Sequence, residues 1–193
     1  MTYIDFRNAI GFKESSNRYT VVNPLGYLGR YQFGTSRLSD FGLCVRKVGT
    51  VGFGNADFEW VAPFTQDDFL ASPALQDACF DIHVWRFQEQ VLSHFSSQMG
   101  KEVGGVLCTL SGCVACCHLL GFGGLVSFFK GVVQKDANGM RSVDYIKLFG
   151  GYEHLTVCPN SGINYLKTLI QVASPLPKLT FWQEFKLVLK SLI

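Results

Sequence analysis

The segment that most constrains the fold is a long apolar stretch over residues 103–133. Repeated glycines interrupt this stretch, and so do Ser111, His118 and Lys130. A helix that spans a membrane needs about 20 predominantly apolar residues in succession. Because the stretch is broken in this way, we expect no transmembrane helix. It is predicted to form the buried centre of a globular domain.

Composition narrows the class of protein further. The chain has 193 residues, of which 48% are hydrophobic and 17% charged, enough to bury a sizeable core in one domain. A formal net charge of +2, without any run of lysines or arginines, argues against a nucleic-acid partner. The N-terminal sequence MTYIDFRNAIGFKE lacks the basic region and apolar run of a secretory signal. We therefore expect synthesis in the cytoplasm.

The cysteines fit buried thiols better than disulfides or a metal site. Their number is odd, and four of them fall within ten residues, whereas a disulfide framework usually spaces them out. The pair Cys113-x-x-Cys116 also admits a metal or redox site, but no second pair stands at zinc-finger spacing. The seven cysteines are Cys44, Cys79, Cys108, Cys113, Cys116, Cys117 and Cys158. We expect neither a metal nor an organic cofactor.

Periodicity and capping signals predict an α+β protein that is mainly α-helical. Helices are predicted over residues 3–16, 35–41, 72–99, 103–120, 123–132, 142–149 and 163–172, with caps at Thr2, Ser72 and Ser142. The turn signature Asn23-Pro24-Leu25-Gly26 predicts a small β-hairpin over residues 19–33. Residues 42–63 are expected to form a long loop or a second hairpin. The chain divides into a domain (1–150), a helical extension (151–177) and an amphipathic C-terminal helix (178–193).

The first predicted helix carries a carboxylate on its apolar face. Four of its residues fall at spacings of three and four and share one face: Tyr3, Phe6, Ile10 and Glu14. Apolar surroundings favour the neutral carboxyl of Glu14 and raise its pKa, which suits a general acid working near neutral pH. Alternatively, a glutamate at a helix end extends into solvent or pairs with Arg18 or Arg30.

The segment after this helix has the composition of a carbohydrate-binding surface. Three glycines allow close backbone approach, three aromatic rings offer flat apolar faces, and two amides can hydrogen-bond sugar hydroxyls. These residues are Gly26, Gly29, Gly34, Tyr27, Tyr31, Phe33, Asn23 and Gln32. The alternative is a hairpin whose aromatic side chains simply pack on the core.

Three short segments resemble a known family. Glu14-Ser15 followed by Gly29-Arg30-Tyr31-Gln32 is similar to the E-S … G-L-M-Q signature of lytic transglycosylases and goose-type lysozymes. Residues 115–121 (ACCHLLG) look like that family's A-x-x-Y-N-x-G helix, and residues 142–146 (SVDYI) look like its T-R-x-Y-V segment.

A closer resemblance is to phage-type and effector-type peptidoglycan hydrolases (muramidases) of the lysozyme superfamily. Their patterns Y-x-x-x-N-x-x-G-Y-x-G-x-Y-Q-F-G, W … F-L-x-x-P-x-x-Q-D and A-x-H-L-x-G-x-G-G look like residues 19–34, 60–77 and 116–124 here. The resemblance covers about residues 3–150, and the rest of the chain lies outside it.

The resemblance implies a lysozyme-like fold with a small β-hairpin beside the catalytic helix. It also implies cleavage of the β-1,4 bond between N-acetylmuramic acid and N-acetylglucosamine in peptidoglycan, with Glu14 as general acid/base. Gln32 matches the amide that binds an N-acetyl sugar, and Tyr145 matches a tyrosine facing the glutamate. His118 and Leu119 stand where the transglycosylases have tyrosine and asparagine. The implied substrate-binding residues are Ser15, Tyr27, Tyr31, Gln32, Trp60, His118 and Tyr145.

The number of carboxylates at the site separates two mechanisms. Hydrolysing glycosidases place a second carboxylate roughly 5–9.5 Å from the acid. No aspartate lies between Glu14 and Gln32, where goose-type lysozymes carry theirs, so we favour a lytic transglycosylase in which one glutamate forms a 1,6-anhydro product. The candidates for a second carboxylate are Asp40, Asp57, Glu59, Asp136 and Asp144. A hydrolytic muramidase, a chitinase-like glycosidase, a non-catalytic peptidoglycan-binding protein and a protein-interaction scaffold are the alternatives.

The C-terminal segment suggests one further contact. Residues 178–193 place apolar side chains on one face and Lys186 and Lys190 on the other, a pattern compatible with lying on an anionic membrane. Packing of this helix on the chain's own domain is the alternative. Peptidoglycan lies outside the cytoplasmic membrane, so the chain is expected to reach it after release by lysis, through non-classical export, or as a domain of a larger protein.

Overall fold

The fold is α+β and mainly helical, as the sequence predicts. The computed structural model describes residues 1–152, 155, 162, 164–166 and 168. Within them the α-helices are α1 (Tyr3–Ser15), α2 (Thr35–Ser39), α3 (Gln66–Ala71), α4 (Pro73–Phe95), α5 (Leu110–Phe129) and α6 (Ser142–Leu148). The strands are β1 (Cys44–Arg46), β2 (Phe58–Trp60), β3 (Glu102–Val103) and β4 (Val106–Leu107). They form two antiparallel pairs, β1 with β2 and β3 with β4.

Helix α1 begins and ends on local signals. The Thr2 hydroxyl accepts a hydrogen bond from the Asp5 N–H at 3.2 Å, and the Asp5 carboxylate accepts one from the Thr2 N–H at 2.7 Å. This capping box starts the helix as predicted. Ser16 ends it in the left-handed conformation, with φ 56°. Glu14 therefore lies in the last turn. The fully buried residues of the apolar face are Phe6 and Ile10.

Helices α4 and α5 form the centre of the fold, and α6 packs on α5. The Ser72 hydroxyl caps α4 by accepting from the Leu75 N–H at 3.2 Å, and Pro73 takes the first position, as predicted. By length and a mean hydropathy of 1.8, α5 could cross a membrane, but half of its most apolar window is buried inside the fold. The segment thus contributes to the core of this domain.

The predicted start of α5 at residue 103 is wrong. Residues 102–107 instead form the β3–β4 pair, which turns at Gly104 and Gly105, both with positive φ (59° and 77°). Thr109 then caps the helix by accepting from the Gly112 N–H at 3.1 Å. The two helices predicted over 103–120 and 123–132 are present as the two segments of α5, which meet at Gly121, whose φ of 70° and ψ of 172° are not helical.

The predicted hairpin over residues 19–33 is also corrected. Its segment folds into successive turns linked by isolated antiparallel bridges, Val22 with Leu28 and Leu28 with Phe33, and contains no continuous strand. Gly26 and Gly29 adopt positive φ (80° and 70°), a conformation that occurs in turns and not in extended strands. A compact set of turns, not a β-hairpin, therefore lies beside α1.

Three other segments refine the prediction. The second hairpin expected in residues 42–63 is present as β1–β2, with Cys44 opposite Trp60. Helix α3 lies in a segment for which no helix is predicted, and it begins at a capping box between Thr65 and Asp68. The cap of α6 is Arg141 instead of Ser142, which is its first helical residue.

The described cysteines are buried and free, as predicted. They are Cys44, Cys79, Cys108, Cys113, Cys116 and Cys117. Burial raises the pKa of the Cys44 and Cys116 thiols to about 12, which keeps them protonated. In the described part of the chain, no group of three or more histidine, cysteine or acidic side chains could hold a metal ion. Cys158, most of the predicted 163–172 helix and the 178–193 helix lie outside the described residues, although 164–166 are helical.

Candidate active site

Glu14 lies in a cleft formed by five parts of the chain: the end of α1, the turns after it, the middle of α5, the loop before α6, and α6 itself. The cleft consists of two adjoining pockets with volumes of about 110 and 450 Å³. Both pockets are lined by the same six residues: Glu14, Asn23, Gln32, Leu119, Asp136 and Asn138. The arrangement brings two carboxyl groups and three amides to a single concave surface.

The environment of Glu14 favours its protonated form. Its side chain is half-buried, and burial raises the pKa of the carboxyl above its ordinary value. A hydrogen bond from the Tyr145 hydroxyl opposes this rise, the negative charge of Asp136 adds to it, and the positive charge of Lys13 weakly opposes it. The net pKa is raised, which suits proton donation to a bound ligand.

Helix α6 places Tyr145 against Glu14. The Tyr145 side chain is fully buried, and its ring packs on Phe149 with 4.7 Å between centroids. Its hydroxyl hydrogen-bonds the Glu14 carboxylate, and Tyr145 also lines the larger pocket. Burial, with the adjacent Glu14 charge, raises the pKa of the phenol, so Tyr145 stays a hydrogen-bond donor to the carboxylate at any physiological pH.

Gln32 and Asn23 present amides to the cleft from the turns after α1. The Gln32 side chain donates to the Gly29 carbonyl at 2.8 Å, and its backbone has a φ of 50°, unusual for a residue other than glycine. Asn23 accepts from the N–H groups of Leu25 and Tyr27 at 2.9 and 3.0 Å. Within the described residues, these bonds leave the Gln32 amide oxygen and the Asn23 amide nitrogen available to a ligand. Tyr27 lines the smaller pocket and is 41% exposed.

His118 reaches the smaller pocket from α5 as a neutral side chain. It is half-buried, and its Nδ1 lies 2.9 Å from Nε2 of the buried His83 on α4. The pKa of His118 is lowered to about 4, because burial and the positive charge of Arg37 together outweigh a hydrogen bond to the Tyr31 carbonyl, which raises it. His118 therefore offers the cleft a ring edge and no positive charge at neutral pH.

The structure does not bring Tyr31, Ser15 and Trp60 to the cleft. Tyr31 is fully buried and stacks on Phe80 at 4.1 Å between ring centroids, so its predicted role as a sugar platform is corrected to a core role. Ser15 is 5% exposed, and its hydroxyl donates to the backbone instead of a ligand. Trp60 lies on β2, half-buried against Phe69.

Two of the five candidate second carboxylates line the cleft, Asp136 in both pockets and Asp144 in the larger one. Asp136 accepts from the N–H groups of Asn138 and Met140 at 2.9 and 2.7 Å, which fixes the loop before α6. Asp144 binds Arg141 through two hydrogen bonds of 2.6 Å, and this lowers the pKa of its carboxyl.

The other three candidate carboxylates line neither pocket of the cleft. Asp40 pairs with Arg37 and Arg86, Asp57 accepts from the Gly54 N–H at 2.9 Å, and Glu59 is exposed on β2.

Sequence reasoning missed Asn138 as a cleft residue. The segment KDANGMRS carries a clear turn signal, and residues 136–140 do form a turn. Nothing in the segment shows that it faces Glu14, because that proximity results from the packing of α6 on α5.

Comparison with protein-family models, curated proteins and solved structures finds no match to this chain. The resemblance to the lysozyme superfamily therefore rests on the motifs in the sequence.

Proposed function

We propose that the chain cleaves the β-1,4 bond between N-acetylmuramic acid and N-acetylglucosamine in peptidoglycan, with Glu14 as general acid/base. The observation that carries the proposal is a half-buried carboxyl with a raised pKa in a cleft that Gln32 also lines. A glycosidic oxygen leaves readily only when it receives a proton, and a carboxyl with a raised pKa is better able to supply one.

The arrangement of elements supports a lysozyme-like fold as part of this proposal. A glutamate ends the first helix, the turns that follow carry Gln32, the central helix carries His118, and α6 carries Tyr145. All four side chains line one cleft. These are the positions that the sequence resemblance assigns to the catalytic and sugar-binding residues.

The preferred mechanism is that of a lytic transglycosylase. Glu14 protonates the glycosidic oxygen as the bond from C1 of the muramoyl ring breaks. The resulting carboxylate then takes the proton of the muramoyl 6-hydroxyl while that oxygen forms a bond to C1, giving a 1,6-anhydro sugar without water. The hydrogen bond from Tyr145 stabilises the carboxylate between these two proton transfers. The Gln32 amide would hold the N-acetyl group next to the bond.

The position of Asp136 in the cleft supports hydrolysis as a second candidate function. Its side chain shares both pockets with Glu14, so a carboxylate able to activate water stands in the same cleft. A muramidase would use Glu14 as the acid and Asp136 as the base or as the stabiliser of the oxocarbenium ion. The bond that is cleaved is the same.

Mass spectrometry of the products from purified sacculi tests the proposal. Anhydro-muramoyl ends indicate transglycosylation, reducing ends indicate hydrolysis, and binding without soluble products indicates a non-catalytic protein. Glu14→Gln is expected to abolish product release, while Glu59→Gln, which changes an exposed glutamate on β2, is expected to keep it. Equal release by wild type and Glu14→Gln would exclude Glu14 as the acid.

A further inference from the structure

We propose that Gln76 is a positioning residue for this site: its buried amide holds the turn of residues 29–32 so that Gln32 faces the bond that Glu14 protonates. The inference rests on the proposed function and adds a residue of α4 that lines neither pocket.

The Gln76 side chain joins three separate segments. It is fully buried, and its Nε2 donates to the carbonyls of Tyr19 and Phe69 at 3.0 and 2.9 Å. Its Oε1 accepts from the N–H of Arg30 at 2.8 Å. Both amide protons and one oxygen lone pair are therefore used, and this fixes the orientation of the amide. The turn that carries Gln32 is tied in this way to the rigid central helix.

The turn lies directly on the Gln76 amide. A Cβ at Gly29 would stand 2.1 Å from Gln76 Oε1, so only glycine permits this approach, and its φ of 70° suits glycine as well. The Gly29 carbonyl in turn accepts from both the backbone N–H and the side-chain amide of Gln32, at 3.2 and 2.8 Å. Gln76 therefore acts on Gln32 indirectly, through Gly29 and Arg30.

The same turn is held from its other side by α1. The hydroxyl of Ser15, next to Glu14 in sequence, donates to the Arg30 carbonyl at 2.8 Å. The Arg30 N–H is bound by Gln76 and its carbonyl by Ser15, so both peptide groups of this residue are fixed. The relative placement of Gln32 and Glu14 follows from these two bonds.

Such fixing matters for a Gln32 held at a φ of 50°. A residue other than glycine keeps this conformation only where its surroundings determine it. If the Arg30 N–H lost its partner, the turn could relax and carry the Gln32 amide away from the N-acetyl group. A displacement of about 1 Å at a reacting site costs up to roughly a hundredfold in rate.

The test compares Gln76→Met with a matched control on the same helix. Gln88→Met also removes a buried amide, one that donates to the Leu155 carbonyl at 2.6 Å and not to a residue of the turn. At a temperature below the thermal midpoint of the variant, where it is folded, we expect Gln76→Met to lower kcat/KM on sacculi by roughly tenfold to a hundredfold. Gln88→Met should lower the midpoint and leave kcat/KM unchanged.

A double-mutant cycle with Gln32→Ala separates positioning from general loss of structure. If Gln76 acts through Gln32, the loss from Gln76→Met disappears in the Gln32→Ala background. An undiminished loss in that background, or a folded Gln76→Met with wild-type kcat/KM, would overturn the inference.

Amide hydrogen exchange of wild type tests the holding contact without any activity measurement. The Arg30 N–H should exchange as slowly as the amides in the middle of α4, and fast exchange would refute the inference even if Gln76→Met fails to fold. Wild type that releases no product, together with a protected Arg30 amide, would instead overturn the proposed function alone.

Discussion

The hydroxyl of Tyr145 on α6 hydrogen-bonds the carboxylate of Glu14 on α1, across 131 positions of sequence. The bond connects the acid to the helix that packs on α5, so the position and the proton affinity of Glu14 depend on the same contact. It lowers the pKa of Glu14, while burial and the Asp136 charge raise it. The balance between these effects leads to the first three predictions.

Tyr145→Phe should raise the pKa of Glu14. The ring that packs on Phe149 is kept, and only the hydrogen bond that favours the carboxylate is lost. The alkaline limb of the kcat/KM profile should move to higher pH, because Glu14 keeps its proton longer. Stability should fall by about 1–2 kcal/mol in urea unfolding. A titration of the Glu14 carboxyl by ¹³C NMR measures the pKa directly, and an unchanged or lower value would contradict this account.

Asp136→Asn should move the alkaline limb of the kcat/KM profile to lower pH, the opposite of the shift expected for Tyr145→Phe. The negative charge of Asp136 raises the pKa of Glu14, so its removal lowers that pKa and shifts the limb to lower pH. Asparagine keeps the oxygen that accepts from the N–H groups of Asn138 and Met140, so the loop should stay in place.

The products of Asp136→Asn also separate the two mechanisms. Continued formation of anhydro ends would support the transglycosylase, and loss of all cleavage would support hydrolysis with Asp136 as the partner. Asp144→Asn is the matched control at the edge of the cleft, since Arg141 already neutralises Asp144.

Glu14→Gln should be more stable than wild type at alkaline pH. Below the ordinary glutamate pKa of 4.5, Glu14 is protonated in both the folded and the unfolded chain and contributes no pH dependence. As pH rises from there through the higher folded pKa, the folded state holds more protons than the unfolded state, so wild-type stability falls. Urea unfolding of both proteins at pH 4, 6 and 8 should show a difference that grows with pH. A constant difference would argue against a raised pKa.

Substitution of Tyr31 should change the stability of the fold, whereas substitution of Tyr27 should change KM. Tyr31→Phe loses the hydrogen bond from its hydroxyl to Asp77, 2.6 Å long, and should cost about 1–3 kcal/mol of stability with KM unchanged. Tyr27→Ala removes an exposed ring at the cleft and should raise KM, with stability changed by less than about 0.5 kcal/mol. The opposite pattern would place the sugar platform at Tyr31.

Local signals made α1 and its carboxylate predictable. The Thr2 cap and the spacing of Phe6, Ile10 and Glu14 concern residues within a few turns of each other, and the structure has all of them in the expected places. The start of α4 at Ser72-Pro73 is predictable for the same reason. Capping and amphipathic spacing act over a few residues, so a single sequence contains the information.

Contacts between distant segments account for what the sequence did not predict. Apolar composition alone does not distinguish strand from helix, so the β3–β4 pair at residues 102–107 was missed. In the turns after α1, the sequence does not show which tyrosine faces solvent, because Tyr27 and Tyr31 lie in irregular backbone without a period. That assignment depends on Phe80 and Asp77, which come from α4 and cover Tyr31. The place of Asp136 in the cleft likewise depends on how α6 packs.

The left-handed residue Ser16 stops α1 directly after Ser15, so Glu14 is the penultimate residue of the helix. The peptide dipoles of a helix add up to about half a negative charge at its C-terminal end. That partial charge disfavours a second negative charge in the last turn, so the macrodipole acts in the same direction as burial and Asp136. A glutamate in the first turn of the same helix would meet the positive pole and give up its proton more easily. The position at which α1 ends therefore helps to keep the carboxyl of Glu14 protonated.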